Sequence, residues 1–332
     1  MIMHTLLKSA LAAALMVAPL ALAQPHYGDN PAALAVIDQL VEEEGFDRDA
    51  LVAIMSDAER QESIINAMNR PAEKIKAWHE YRKIFLNDQR IRDGQQFYRD
   101  NREALKRAEA ETGVPAEIIV AIIGVETLYG KIRGSYRVID ALSTLAFDYP
   151  RRSEFFTSEL KHYLILTRDQ GMDPLTPVGS YAGAMGYGQF MPSSYRNYAI
   201  DFDGDGKADI WENKTDAIGS VANYFVEHGW QPGQKVVLSA EPPAEVPEEM
   251  LSRGRKLKPR YTLSEFAAAG FEFKPQNDDK AMAIAIEFEQ PASLEYWLGL
   301  ENFYVITRYN HSAMYAMAVY QLSMAIGSGM RE

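Results

Sequence analysis

The stretch PAEIIVAIIGVETLYG, Pro115 to Gly130, is the most informative segment of the chain. A proline is tolerated in the first turn of a helix, and glycine is common just after the last turn. Ile119, Ile122 and Ile123 recur at helical spacing before Glu126, which places one carboxylate on or beside the buried stripe of an apolar helix. We therefore expect a helical core built around this segment.

Glu126 stands where an anion is costly, and two effects should raise its pKa. One is desolvation by the isoleucines, and the other is the partial negative charge of the helix end, expected at Gly130. A carboxylic acid that stays protonated near neutral pH is the general acid that a glycosidic oxygen requires. On spacing alone, an ion pair with Arg133 or Arg137 that merely closes the core is the favoured interpretation, because ion pairs are the commoner reason for a nearly buried glutamate.

Composition excludes several classes of protein. The 332 residues include no cysteine, which rules out disulfide scaffolds, thiolate metal sites and cysteine nucleophiles. The formal charge of −12 argues against nucleic acid as a partner, because a broad phosphate-binding face needs a basic surface. The length allows about two domains and a sizeable buried core.

Residues 1–23 have the features of a cleaved export signal. An apolar run from Ala10 to Leu22 follows the basic Lys8, and Ala21-Leu22-Ala23 has the small-x-small form of a cleavage site. The run is too short to span a bilayer and contains Pro19. We expect a soluble protein without a stable membrane anchor in an exported compartment, which the family resemblance described below implies is the periplasm.

Hydrophobic periodicity predicts a mainly α protein that is α+β overall. Residues 24–94 form an N-terminal helical region, and residues 95–230 form the core that holds Glu126. Gly45, Pro71 and Gly94 are expected to divide the first region into helices, whereas 171–195, rich in glycine and proline, predicts a long ordered loop of the kind that binds ligands.

Short β-like runs after Trp230 predict a small subdomain over residues 231–300. They include Lys235–Leu238 and Met282–Ile286, and Thr262 with Glu265 has the spacing of a helix capping box. Helical periodicity then returns, so residues 301–332 should supply a C-terminal helix that completes the core.

The segment DFDGDGKADIWE, residues 201–212, matches the calcium-loop template of the EF-hand. The expected ligands are three alternate carboxylates, one backbone carbonyl and a twelfth-position carboxylate: Asp201, Asp203, Asp205, Lys207 and Glu212. So many like charges would repel one another without a cation. We therefore predict a structural Ca²⁺ and no organic cofactor; a calcium-sensor role is less favoured, because a single loop more often stiffens a fold.

Three long runs together resemble the lytic murein transglycosylase B family. They are GVETLYGKIRGSYRVIDALSTLAFDYPRR from Gly124, GSYAGAMGYGQFMPSSY from Gly179, and NFYVITRYNHSAMYAMAVYQL from Asn302. The resemblance covers about residues 75 to 325. It implies a lysozyme-like helical core that acts on peptidoglycan strands. It also implies that the protein comes from a Gram-negative bacterium.

The resemblance also implies a mechanism with Glu126 as the sole acid/base. The acid protonates the oxygen between N-acetylmuramic acid and N-acetylglucosamine, and then takes the proton of the muramoyl C6 hydroxyl, leaving a 1,6-anhydro end. It implies further that Asp216, in the motif DAIGS, competes with Glu212 as the last calcium ligand.

Several side chains are expected to bind the glycan because they match family motifs. They are Tyr81, Ser180, Gln189, Tyr224, Tyr304, Tyr309 and Asn310. Tyrosine rings suit the apolar faces of sugars, and their hydroxyls can bond sugar edges. Arg151 and Arg152 form a cationic pair that suits the carboxylates of peptidoglycan peptides, although ion pairing within the fold would explain them equally.

Two alternative functions remain open from the sequence. A hydrolytic muramidase would use Glu126 with a second acid such as Asp140 or Asp148. A protein of another class, a non-catalytic peptidoglycan-binding scaffold, would keep the groove without the reaction. Proteins of cell-wall synthesis or remodelling are possible further partners.

Overall fold

A computed structural model of the chain describes residues 26–70 and 76–329. The predicted signal segment and Pro71 lie outside the described residues. Helices dominate the described part: α1 (Pro31–Glu44), α2 (Arg48–Asp57), α3 (Glu62–Asn69), α4 (Trp78–Phe85), α5 (Asp88–Asp100), α6 (Arg102–Thr112), α7 (Ala116–Thr127), α8 (Val138–Phe147), α9 (Ser153–Asp169), α10 (Pro192–Tyr198), α11 (Lys214–Glu227), α12 (Leu263–Ala268), α13 (Glu301–Tyr309) and α14 (Ala313–Ser328).

The first three helices pack on the α8–α9 hairpin and share its hydrophobic core. Asn30 caps α1 by accepting bonds from two backbone N–H groups, and Gly45 ends that helix in the left-handed conformation, as the sequence predicts. Ile37, Leu51 and Leu160 are among the fully buried side chains of this core.

Helix α7 is the centre of a second core. Its residues from Ile118 to Gly124 are all buried, so the helix is apolar on every side rather than along one stripe. Helices α5, α6, α11 and α14 surround it. Glu126 therefore comes at the end of a segment that is inaccessible to solvent on all faces.

The predicted boundary at Gly94 is wrong, because this residue lies inside α5. A β-carbon there would come within 2.5 Å of the Tyr129 hydroxyl and 2.6 Å of Ile326. Glycine is needed for close packing against α7 and α14 and does not end the helix. The division between residues 94 and 95 consequently cuts through one element.

A five-stranded antiparallel sheet occupies the region that the sequence predicts as a β subdomain. Its strands are β3 (Val237–Glu241), β4 (Tyr261–Thr262), β5 (Glu272–Phe273), β6 (Met282–Glu289) and β7 (Leu294–Gly299), in the order β4-β6-β7-β3-β5. Both predicted β-like runs lie at least partly in strands, β3 and β6. The predicted capping box is confirmed, since Thr262 and Glu265 bond each other's backbone N–H at the start of α12.

Two further features frame the site. The two-residue strands β1 (Tyr136–Arg137) and β2 (Val178–Gly179) pair in antiparallel fashion and anchor the glycine-rich loop.

The C-terminal region holds two helices rather than one, because the chain extends at Asn310 and Ser312 recaps α14. Within the described residues, every helix is too short or too polar to cross a bilayer.

Candidate active site

Glu126 lies in the last turn of α7, partly buried, and its carboxylate faces α14. The hydroxyl of Tyr315 donates a hydrogen bond of 2.5 Å to Oε1 of Glu126. Burial raises the pKa of the Tyr81 and Tyr309 phenols, and the charge on nearby Glu126 raises the pKa of each further. Three tyrosines from α4, α13 and α14 therefore surround one carboxyl group.

Burial raises the pKa of the Glu126 carboxyl from 4.5 to about 7. The bond from Tyr315 acts in the opposite direction, because a donor stabilises the ionised form. Desolvation outweighs that bond, so the carboxyl is poised near neutral pH, where one group can serve first as acid and then as base.

The ion-pair explanation for Glu126 is wrong, since both candidate arginines are engaged elsewhere. Arg133 pairs with Glu212 at 3.1 Å and donates to the backbone oxygen of Trp211. Arg137 binds Asp140 at 2.8 Å and also binds Asp57. Across the described residues, no salt bridge involves Glu126.

The two candidate second acids also belong to other networks. Asp140 is held by Arg137 and accepts a bond from the backbone N–H of Glu59. Asp148 accepts the hydroxyl of Tyr27 at 2.6 Å and lies 3.5 Å from Arg60. Both therefore tie the N-terminal helices to α8, and neither contacts Glu126.

The end of α7 is strained, and it lies two residues earlier than the sequence predicts. Leu128 and Tyr129 both have left-handed backbone, with φ of 51° and 60°, before Gly130 at 86°. Their N–H groups bond the oxygens of Gly124 and Ile123, which closes the helix. Such backbone costs a non-glycine residue roughly 1–2 kcal/mol and is found preferentially at functional sites.

Arg90 on α5 holds this strained turn in place. Its guanidinium donates to the backbone oxygen of Gly124 at 2.6 Å, and its own backbone oxygen accepts the Tyr129 hydroxyl at 2.8 Å. A cation at a helix C-terminus also offsets the partial negative charge there. These contacts fix the turn that begins two residues after Glu126.

The glycine-rich loop docks on the same helix end. Buried Thr127 donates its hydroxyl to the backbone oxygen of Tyr187 at 3.0 Å, and Tyr309 donates to the oxygen of Gly188 at 2.7 Å. A β-carbon at Gly188 would lie 2.7 Å from that phenol oxygen, so only glycine fits. The loop is thereby held between α7 and α13, beside Glu126.

Ser180 and Gln189 lie on this loop, and both also support its conformation. The Ser180 hydroxyl oxygen accepts bonds from the N–H groups of Ala182 and Ala184. Gln189 has a left-handed φ of 52°, and its amide nitrogen donates to the oxygens of Gly186 and Arg133. Within the described chain its amide oxygen accepts no bond and is available to a sugar.

The remaining predicted groove residues have different surroundings. Tyr224 is buried, stacks on His228 and donates to the backbone oxygen of Arg308, so its hydroxyl is already occupied. Tyr304 lies under the Arg308 guanidinium, 4.2 Å from it. Asn310 is exposed at the end of α13.

Arg151 and Arg152 are exposed in a 3₁₀ turn, Pro150–Arg152, at the carboxyl end of α8. Arg152 lies over the rings of Phe155 and Phe156 at 4.4 and 4.9 Å. These ring contacts do not join the pair to Glu126, so its role stays a prediction.

Tyr315 is the site residue that the sequence prediction missed. It lies inside the run that begins at Asn302, at a position where helical spacing predicts core, and it is indeed 3% exposed. Only its hydroxyl distinguishes it from core. Helical periodicity identifies the buried face of α14 but does not indicate which buried tyrosine meets a carboxylate from another helix.

Four aspartates that the sequence predicts as calcium ligands form one cluster. One oxygen from each of Asp201, Asp203, Asp205 and Asp216 lies within 4.8 Å of the others. Asp216 is fully buried, and its burial raises the pKa of its carboxyl. Four converging hard oxygens suit Ca²⁺ by chemistry and spacing.

The cluster includes Asp216 and excludes Glu212. The carboxylate of Glu212 instead pairs with Arg133 and is 75% exposed. Asp216, at the start of α11, accepts backbone bonds from Phe202 at 2.8 Å and Asp209 at 2.9 Å, which holds the loop closed around it. The carbonyl of Lys207 remains a predicted ligand.

A partly buried acid with a pKa raised to about 7, beside a glycine-rich loop on a helical core, is the arrangement expected of a general acid/base enzyme. The sequence matches the family described as "Transglycosylase SLT domain" over residues 29–324. Membrane-bound lytic murein transglycosylase B of Escherichia coli K12 is 46% identical in an alignment of 309 residues that covers 90% of this chain and 84% of that protein.

Solved structures agree. Soluble lytic transglycosylase SltB1 from Pseudomonas aeruginosa is 51% identical, with a TM-score of 0.87 over 91% of this chain and 100% of that one. Escherichia coli lytic transglycosylase SLT35, solved in complex with calcium, is 44% identical, with a TM-score of 0.83 over 93% and 97% of the two chains. The chain therefore belongs to the lytic murein transglycosylase B family, and the predicted α+β fold is confirmed.

Proposed function

We propose that this protein cleaves the MurNAc–GlcNAc bond of peptidoglycan without water and leaves 1,6-anhydro-MurNAc ends. The observation that carries the proposal is the Glu126 carboxyl, whose pKa burial raises to about 7, while the two candidate second acids, Asp140 and Asp148, are bound in networks with Arg137 and Tyr27. A lysozyme-type hydrolase places a second carboxylate roughly 5–9 Å from the acid, to act as nucleophile or to activate water. The family relatives, named for lytic murein transglycosylase activity, support the same reaction.

Tyr315 determines which carboxyl oxygen of Glu126 carries the proton that is transferred. Its hydroxyl donates to Oε1, so the proton of the neutral acid resides on Oε2 and points toward the glycosidic oxygen. As the proton leaves, the same phenol bond becomes charge-assisted and stabilises the carboxylate. Tyr315 is thus a positioning residue that helps Glu126 both release and recover a proton.

The second half of the reaction uses Glu126 as a base. The carboxylate takes the proton of the muramoyl C6 hydroxyl as that oxygen attacks C1, which restores the neutral acid and consumes no water. The sugar's N-acetyl group helps to stabilise the oxocarbenium-like centre. The glycine-rich loop, with the amide oxygen of Gln189, and the rings of Tyr81 and Tyr309 form the walls that hold the sugar and exclude bulk water.

Ca²⁺ is proposed as a structural ion held by Asp201, Asp203, Asp205 and Asp216. The calcium complex of SLT35 supports this assignment. When bound, the ion would neutralise clustered charge in a loop that also contacts the glycine-rich loop, because the N–H of Tyr187 donates to the oxygen of Ile210. The ion therefore supports the site at a distance and takes no part in the chemistry.

Export to the periplasm as a soluble protein, with cleavage after Ala23, completes the proposal. The mass of the mature protein checks it, since a product that does not start at Gln24 contradicts the assignment.

Digestion of peptidoglycan in water enriched in ¹⁸O tests the reaction. The proposed enzyme yields anhydro-ended muropeptides, lighter than reducing ends by one water and free of label. Reducing ends that carry ¹⁸O would establish hydrolysis instead, and binding without any product would establish the scaffold. Glu126→Gln is the matched inactive control, because it keeps the side-chain shape and the Tyr315 bond.

A further inference from the structure

One face of helix α5 packs against the strained turn that follows α7. Residues at helical spacings of three and four form this face: Arg90, Asp93, Gly94 and Phe97. The turn consists of residues 128–131 and comes directly after the helix that carries Glu126. Contacts from α5 can therefore set the conformation of the chain next to the acid.

Three of the four residues hold the side chains of the turn. Phe97 packs on the ring of Tyr129, with 5.8 Å between the ring centroids. Gly94 leaves room for the Tyr129 hydroxyl, which a β-carbon would approach to 2.5 Å. The carboxylate of Asp93 pairs with the ammonium of Lys131 at 2.7 Å. The turn is thus bound to α5 by an aromatic contact, a close-packed glycine and an ion pair.

Arg90 holds the last turn of α7 itself. The backbone oxygen of Gly124 accepts two donors, the N–H of Leu128 at 3.2 Å and the guanidinium of Arg90 at 2.6 Å. The bond from Arg90 is the shorter and is charge-assisted, so it is the stronger restraint. The guanidinium is partly buried and lies 5.2 Å from the ring centre of Phe85, which fixes its direction.

The turn depends on these contacts for its conformation. Leu128 and Tyr129 both have left-handed backbone, which costs roughly 1–2 kcal/mol per residue and persists only where the surrounding structure determines it. Glu126 lies two residues before Leu128, and its carboxyl accepts a bond of 2.5 Å from Tyr315. A displacement of about 1 Å would take that contact outside the usual O–H···O range of roughly 2.5–3.0 Å.

We propose that Arg90 is a positioning residue, which holds the turn after α7 and thereby keeps the carboxyl of Glu126 against the hydroxyl of Tyr315. The proposal rests on the function assigned above, in which Glu126 is both acid and base. Arg90 acts through the backbone oxygen of Gly124 and not through the sugar. Its loss should therefore slow the reaction and leave substrate binding almost unchanged.

Steady-state kinetics on soluble glycan strands test this role. Arg90→Gln should lower kcat about 100-fold with little change in KM, because a misplacement of about 1 Å costs a rate factor of that order. Arg90→Lys keeps the charge and a donor, so it should recover part of the lost kcat. Arg99→Gln is the matched control, since it removes one charge from the same helix at an exposed position where the arginine bonds Gln96.

A double-mutant cycle with Tyr315→Phe separates positioning from general stability. Arg90→Gln should lower kcat by a smaller factor in the Tyr315→Phe background than in the wild type, because the two residues act on the same carboxyl. Additive effects overturn the proposal, as does a kcat equal to that of Arg99→Gln or a loss expressed in KM alone. If Arg90→Gln does not fold, Tyr129→Phe removes the bond to the Arg90 backbone oxygen, and an unchanged kcat there also overturns it.

Failure of the proposed function gives a different result. If the wild type cleaves no strand, the assigned function fails, and NMR titration of a ¹³C-labelled Glu126 carboxyl follows the same cycle. Tyr315→Phe should then raise the pKa of Glu126 in the wild type and raise it less in Arg90→Gln. Equal shifts in the two backgrounds overturn the positioning role of Arg90.

Discussion

Replacing Glu126 by glutamine should abolish cleavage and, at alkaline pH, increase the free energy of unfolding. Burial raises the pKa of the carboxyl from 4.5 to about 7, so the folded protein holds this proton more tightly than the unfolded chain. The stability associated with the proton is fully present below about pH 4.5 and is lost as pH rises through about 7. Glutamine does not titrate and avoids this loss.

The size of the effect follows from the two pKa values. A difference of about 2.5 corresponds to about 3 kcal/mol, since one pKa unit is worth 1.36 kcal/mol. Partial exposure of the side chain lets solvent screen the charge and reduces the figure, so we expect about 1–3 kcal/mol. Activity should fall by at least about 10²–10⁴, the range for loss of a general acid.

Urea unfolding of both proteins at about pH 4 and about pH 8.5 measures this difference. The stability of Glu126→Gln relative to wild type should grow by the stated amount between the two conditions. Glu117→Gln, on the same helix, controls for the general effect of losing one carboxylate. A relative stability that is equal at both pH values, or lower at the higher one, would refute the reasoning.

Two further predictions concern Tyr315 and the calcium cluster. Wild-type kcat/KM should fall as pH rises through about 7, where Glu126 loses its proton. Tyr315→Phe should move that fall to higher pH, because the phenol bond lowers the pKa of Glu126. A kcat/KM that falls at the same pH in both proteins contradicts the positioning role of Tyr315. Calcium at about 100 times Kd should add about 2.7 kcal/mol to the unfolding free energy. Asp216→Asn should remove this gain and Glu212→Gln should keep it, whereas the reverse result would restore Glu212 as the ligand.

Local rules in the sequence predict the elements well. Gly45 ends α1, Thr262 and Glu265 form their capping box, and the β-like runs lie in β3 and β6, because each depends on a few neighbouring residues. Gly94 failed as a helix boundary for the opposite reason. Its role is set by contacts with Tyr129 and Ile326, which are remote in sequence.

The sequence predicts the acid Glu126 but not most of the contacts around it. The apolar run before Glu126 is enough to predict a desolvated carboxyl, and the raised pKa agrees. The turn at Leu128 carries no glycine, so nothing local marks the helix end there. Likewise, the bond from Tyr315 and the ion pair of Glu212 with Arg133 depend on how distant helices and loops meet.

The bond between Glu126 and Tyr315 joins positions 189 residues apart, and Tyr315 belongs to the last helix of the described chain. A ribosome makes this helix after all the other described elements, so the acid acquires its partner only when those elements exist. Partial products of translation thus lack a finished site. An enzyme of the proposed function would therefore gain the bond that positions its acid only with its last described helix.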